Sequence, residues 1–180
     1  MQDAVLIPLE GLLIYQNKMF TDERGSLFQL APNIDTNPHF SEGIKNLIAV
    51  KITDKKPRGG HYHLKGADDV WTLAGAALWH FVDFRSQVLP RPTYSCLVGS
   101  EVVKSEILAE LPRFLVATGQ QVHAHIHCPP GIYHTVWSVG ENPLIFVESK
   151  TTEFKEEYYI RLPFIEVPEV VDFKNKYHLE

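Results

Sequence analysis

Between residues 46 and 147 the apolar residues recur at every second position in short runs, and that period commits the chain to strands rather than helices. The runs 46–52, 70–73, 77–83, 113–117, 122–127, 132–139 and 144–147 are rich in Val, Ile, Phe, Trp and Tyr, side chains that fit a pleated, half-buried surface. Gly, Pro, Asn or Asp clusters at 55–60, 89–92, 128–131 and 140–143 separate them, and many short strands with turn signals at this spacing argue for an all-β sandwich or barrel. One stretch reads as helix, 101–111, with Val103, Ile107, Leu108 and Leu111 on one face and charges on the other. The tail 156–180 mixes strand-like and helix-like pieces. With no internal repeat, linker or low-complexity segment, the expectation is one domain over 1–180. Its barrel core spans about 18–155, and an N-terminal strand and the C-terminal tail pack outside.

Composition enters by exclusion. A chain of 180 residues with 44% apolar and 22% charged residues has material for a sizeable core and is not disordered. Seventeen basic against 22 acidic residues give a net charge of −5. The only basic cluster is Lys55-Lys56-Pro57-Arg58, a poor footprint for nucleic acid. No apolar run reaches the roughly 18–20 residues of a membrane span, and Asp3 stands where a secretory signal carries Lys or Arg. Cys96 and Cys128 cannot make a disulfide scaffold. A cytoplasmic protein without membrane or nucleic-acid partners is expected.

The chemistry concentrates in Arg58-Gly59-Gly60-His61-Tyr62-His63, followed by Asp68 and Gly75. On a strand, residues i and i+2 share a face, so His61 and His63 project together. Asp68, across a turn or on an adjacent strand, adds a third ligand. A second piece, Pro129-Pro130-Gly131-Ile132-Tyr133-His134, delivers one more His from another strand through a tight turn. Three His and a carboxylate form a first shell for a divalent transition metal, Zn, Fe, Mn or Ni, with open positions for substrate. The same side chains also serve as polar substrate contacts with no metal.

These two pieces resemble the paired signatures of the cupin superfamily, H-x-H with a later acid and Gly, then P-x-G-x-x-H. His61, His63, Asp68 and His134 match position by position. Asp68 replaces the usual Glu, no Gly lies six residues before His61, and Ser138 stands where the second signature often has Asn. The resemblance implies a double-stranded β-helix, the jelly-roll barrel, with one or two short helices.

A longer resemblance runs from Phe20 to about His134. Phe20-Thr21-Asp22-Glu23-Arg24-Gly25 resembles the F-x-D-x-R-G opening of the dTDP-4-dehydrorhamnose 3,5-epimerase family. In the family's order follow Arg58–Tyr62 (R-G-x-H-Y), Val82-Asp83-Phe84-Arg85 (V-D-x-R), Pro92-Thr93-Tyr94 (S-P-T-F) and Pro129–His134. The resemblance implies a cofactor-independent epimerase that moves protons next to the C4 ketone of a nucleotide-linked 4-keto-6-deoxy sugar. His61 matches the base, Arg24 and Arg58 the residues that hold the diphosphate, and His134 a pocket-wall His. The family's enolate-stabilising Lys falls at Asp68 and its acid Tyr at about Glu148. Its Asp that pairs with the base has no equivalent around 159–164, and Gln29 replaces a Glu near the nucleotide. Tyr62, Tyr133, Asp68 and Asp83 are left to substitute, and Tyr133 is assigned to catalysis with His61. His63, where the family has Gln, resembles the R-x-x-H-x-H of sugar-nucleotide 3,4-ketoisomerases and is assigned with His134, Arg24, Arg58 and Gln29 to substrate binding. It also resembles metal-binding sugar-epimerase cupins.

His123, His125 and His127 alternate with Val122, Ala124 and Ile126. Pointing inward, the His set would enlarge a His-lined pocket; the apolar set suits the core, so the His set is expected outward, as a polar surface or a subunit contact. His80, Trp71, Trp79, Trp137 and Cys128 read as structural.

Three readings follow: a sugar-nucleotide epimerase or isomerase acting through His61, a metal cupin using His61, His63, Asp68 and His134 on another small molecule, and a non-catalytic binder of sugar nucleotides. The first is preferred. The resemblance implies a homodimer, and the apolar N-terminal residues 4–15 offer a strand to pair across it.

Overall fold

The computed structural model describes residues 7–28, 30, 43–99, 101, 103, 108, 110–115 and 122–180. The strands, in chain order, are β1 (Leu13–Asp22), β2 (Gly25–Phe28), β3 (Asn46–Ile52), β4 (Arg58–His63), β5 (Asp68–Ala74), β6 (Ala76–Asp83), β7 (Thr93–Gly99), β8 (Arg113–Leu115), β9 (Val122–Cys128), β10 (Ile132–Ser138), β11 (Leu144–Lys150) and β12 (Tyr159–Arg161). A helix, α1 (Pro168–Lys176), closes the chain. The strands form two six-stranded sheets, β2-β1-β9-β5-β11-β3 and β12-β4-β10-β6-β7-β8. Every pairing is antiparallel except β7–β8. The period-two runs thus become strands, as the all-β reading requires.

The inner faces enclose the main core, in which Ile14, Val70, Ile126 and Phe146 of the first sheet meet Trp79, Phe81, Cys96, Val98 and Val136 of the second. A second apolar cluster lies on the other face of the second sheet. There Leu78, Val82, Leu97, Tyr133 and Trp137 pack against Val167, Val170 and Phe173 from α1 and the turn before it. Both faces of β6 are therefore covered and all eight of its residues are buried, which explains why 77–83 reads as a near-continuous apolar run. Phe173 stacks on His80 at 4.1 Å, and burying a side chain of that size contributes about 1.5–3 kcal/mol.

One sequence expectation changes. Of the strand expected over 4–15, residues 4–6 lie outside the described residues and 7–12 are not strand, because a turn at 9–11 with Gly11 at φ 77° folds Leu9 and Leu12 into the core. The first half of β1, 13–18, pairs with β9 and the second half, 19–22, with β2. The helix expected over 101–111 falls largely outside the described residues, of which Val103 and Leu108 are buried in the second cluster.

Candidate active site

Two glycines shape the site before any histidine does. Gly59 and Gly60 have φ of 90° and 78°, a region that disfavours other residues. The β4–β10 register pairs His134 with His61 but Thr135 with Gly59, so Gly60 is the extra residue of a bulge, which re-aims the side chains beside it. A Cβ at Gly59 would lie 2.5 Å from the His134 carbonyl oxygen. The Gly-Gly pair is thus what lets β4 approach β10 closely enough to set His61 against His134, with ring centroids 4.6 Å apart.

His63 follows on the same face of β4, its ring 4.9 Å from that of His61 and stacked 5.5 Å from that of His134. The chain then crosses to the other sheet, where Asp68 opens β5. One donor atom from each of His61, His63, Asp68 and His134 lies within 4.8 Å of the other three. Asp68 is 2% exposed. Its Oδ2 is 2.8 Å from His63 Nε2 and 3.6 Å from His134 Nε2, and its Oδ1 accepts from Lys150 Nζ at 2.8 Å. Burial opposes ionisation of Asp68, but His63 and the Lys150 ammonium outweigh it and hold the carboxyl well below its ordinary value.

The tautomers follow from the outer hydrogen bonds. His134 Nδ1 donates to the Ile132 carbonyl at 3.1 Å, which leaves Nε2 with its lone pair toward Asp68. His61 interacts with the Gly59 carbonyl, and its buried Nε2 has no hydrogen-bond partner among the described residues. Burial and the neighbouring His63 push the His61 pKa down to about 4, and burial takes His134 well below its ordinary value. At neutral pH the His61 imidazole is neutral, with a free lone pair facing the cluster. That nitrogen is equipped to accept a proton or to bind an electrophile.

Sequence reasoning missed Lys150 and Tyr159. Lys150 ends β11, where the β11–β5 ladder pairs it with Asp68, and it is 3% exposed between Asp68 and Glu148. Burial alone would lower its pKa, but the two carboxylates hold it above the usual lysine value. Glu148 shifts up, through burial and the charge of Asp68, with Lys150 opposing. Tyr159 on β12 pairs with His63, its ring 4.5 Å from His63 and 5.5 Å from His61, with Lys150 Nζ 5.2 Å from its centroid.

Other assigned residues lie elsewhere. Tyr133, expected as catalytic, is adjacent to His134 on one strand and so faces the opposite way. It is fully buried in the second apolar cluster, and its hydroxyl donates to the Leu162 carbonyl at 3.2 Å. Tyr62 stacks on Phe84, and Asp83 pairs with Arg85 at 2.7 Å. Arg24 is an exposed residue of the β1–β2 turn held by Asp22, and Arg58 is exposed at the first position of β4. Among the described residues neither guanidinium contacts the histidine cluster. Gln29 lies outside the described residues.

His123, His125 and His127 do face away from the core side of β9, opposite Ala124 and Ile126, but they do not form an exposed polar surface, since each is less than 10% exposed. The reason is Asp69 on β5, fully buried, whose Oδ1 is 2.7 Å from His125 Nε2 and 3.0 Å from His127 Nδ1. Tyr15 and Trp71 stack on the His125 ring.

Two six-stranded sheets close over a core as a jelly roll, with three histidines and a carboxylate converging between them. Solved structures share this fold. A dTDP sugar isomerase from Desulfovibrio desulfuricans G20 aligns over 89% of this chain and 88% of its own, at 13% identity and a TM-score of 0.69. The dTDP-6-deoxy-D-glucose-3,5-epimerase of Legionella pneumophila Philadelphia 1, in complex with dTDP-4-keto-L-rhamnose, aligns over 93% and 80%, at 17% identity and 0.66. A 3,4-ketoisomerase from Helicobacter canadensis aligns over 89% and 97%, at 18% identity and 0.56. At these identities the likeness is one of fold. No protein-family model and no curated protein matches the sequence. No helix among the described residues is long and apolar enough to cross a membrane.

Proposed function

We propose that this chain is a sugar-nucleotide epimerase or isomerase that removes a proton next to the C4 ketone of a nucleotide-linked 4-keto-6-deoxy sugar, with His61 as the base. The observation that carries this reading is the His61 Nε2 lone pair, buried, without a hydrogen-bond partner among the described residues and attached to an imidazole that stays neutral well below pH 7. A neutral base held in place is what abstraction from a carbon acid requires. Lys150 supplies a fixed positive charge near the developing enolate oxygen. His63 and His134 line the pocket, and Arg58 and Arg24 remain the assigned diphosphate contacts. The names of the structural neighbours point to the same substrate class. A cytoplasmic homodimer belongs to this proposal, and sedimentation velocity at twice the chain mass checks the dimer. The deciding experiment is incubation with a dTDP-4-keto-6-deoxy sugar in deuterium oxide, followed by proton NMR. Loss of the C–H signals flanking the ketone is expected, and their persistence would overturn the reading.

A second reading is favoured by the 4.8 Å convergence of His61, His63, Asp68 and His134. The residues fit a divalent transition metal, because backbone carbonyls engage the His61 and His134 rings in the way outer hydrogen bonds orient metal-binding imidazoles. When bound there, the ion supplies Lewis acidity toward a substrate oxygen. Elemental analysis of the purified protein and of His61→Ala and His63→Ala separates the cases. Near-stoichiometric Zn, Fe, Mn or Ni lost in both variants supports the metal centre. No binding after incubation with these ions argues against it.

A further inference from the structure

We propose that Lys150 is a built-in cation that keeps divalent metal ions out of the cluster of His61, His63, Asp68 and His134. The inference goes beyond the epimerase or isomerase reading and does not depend on it, because it concerns the charge balance of the pocket and not turnover.

Strand register sets that balance. Glu148 and Lys150 are two positions apart on β11 and share a face, and the β11–β5 ladder sets Lys150 opposite Asp68. The Lys150 Nζ is 2.8 Å from Asp68 Oδ1 and also pairs with Glu148. The Tyr159 ring lies beside it, with Nζ 5.2 Å from the centroid. The residue is 3% exposed. Its carbonyl accepts from the Lys45 amide at 2.9 Å, and the Thr151 amide that follows donates to the Ala67 carbonyl at 3.4 Å. The backbone is pinned on both sides, so the ammonium is a fixed charge rather than a visiting one. Among the described residues no other lysine or arginine is paired with Asp68.

A metal ion and this ammonium compete for one carboxylate. Imidazole ligands are neutral, so Asp68 is the anionic donor of the four, and Lys150 has already neutralised it. A divalent ion entering the cluster would stand a few ångströms from a cation that cannot leave, where burial weakens screening. Without that cation, a buried carboxylate would be left facing three imidazoles, a donor set suited to transition ions. An ion there would also occupy the His61 Nε2 lone pair, the one that proton abstraction needs. One side chain on β11 thus decides between the two chemistries that the four cluster residues allow.

The test uses Lys150→Gln, which is neutral and keeps an N–H donor for Asp68, with Lys150→Met as a second neutral variant. Lys150→Arg is the control that keeps the charge. Folding is checked by circular dichroism, and affinity for Zn²⁺ and Ni²⁺ is measured by titration calorimetry on chelator-treated protein. A folded neutral variant should bind at least about 10²-fold more tightly than wild type, and the ion should raise its melting temperature. The gain should vanish when His61→Ala is added, and Lys150→Arg should behave as wild type. Equal affinity in wild type and the neutral variants, whether tight or negligible, overturns the proposal. So does tight binding by folded Lys150→Arg, because charge is then not the cause. A gain that survives His61→Ala also overturns it, since the ion then sits elsewhere. Persistence of the substrate C–H signals in deuterium oxide would remove the epimerase reading and leave this inference standing.

Discussion

His61→Ala should reduce turnover of a 4-keto sugar nucleotide about 10²–10⁴-fold, the range typical of a positioned general base, with the fold intact. The size follows from what the imidazole does that its neighbours cannot. His63 Nε2 lies 2.8 Å from Asp68, and the His134 Nε2 is 3.6 Å from the same carboxylate. Only His61 presents a buried ring nitrogen without either contact among the four cluster residues. The variant should fold because His61 is only partly buried and the glycines that shape the bulge remain. His63→Ala is the contrasting control: it removes the closest histidine to Asp68 and should lower stability as well as activity. Steady-state rates for the two variants, with melting temperatures alongside, separate lost chemistry from lost structure. Turnover of His61→Ala within tenfold of wild type would show that another group takes the proton.

The four residues of the cluster were legible because the signal is local. The H-x-H spacing puts two histidines on one strand face, and the Pro-Pro-Gly turn delivers His134. The strand expected over 46–52 matches Asn46–Ile52 in the structure. Period two also placed His123, His125 and His127 opposite Ala124 and Ile126. Their burial was not readable, because it depends on Asp69, more than fifty residues away in the chain. The same holds for Lys150, whose partner Asp68 is 82 residues distant, and for Tyr159, which reaches the pocket only through its register with β4. Tyr133 is a different kind of miss. Its neighbour His134 was already assigned to the pocket, and adjacent strand residues point to opposite faces, so alternation alone excluded it.

Acid should unfold this protein well before its carboxylates protonate. Burial pushes both His61 and His80 down to about 4, whereas the unfolded chain titrates its histidines near 6.5. The folded value lies below the unfolded one, so the unfolded state binds more protons between those limits. The stability these groups contribute is fully present above about pH 6.5 and drains away as pH falls toward 4. At 1.36 kcal/mol per unit, each group accounts for about 3 kcal/mol, and His134, lowered further by burial, adds to the same slope. Against a total of about 5–15 kcal/mol for a domain, loss of two or three such contributions is enough to unfold it. Asp68, held low by His63 and Lys150 against its burial, steepens the decline below about pH 4. Chemical denaturation from pH 8 to 4.5 should show a plateau above neutrality and a steep fall below about pH 6. His80→Phe isolates one contribution, since it removes the titrating ring beside Ser95 while preserving an aromatic stack on Phe173. Its curve should be shallower by about the share of one histidine. A wild-type curve flat to pH 4.5 would mean that these rings are hydrated in the folded state, and the neutral His61 on which the chemistry depends would lose its physical basis.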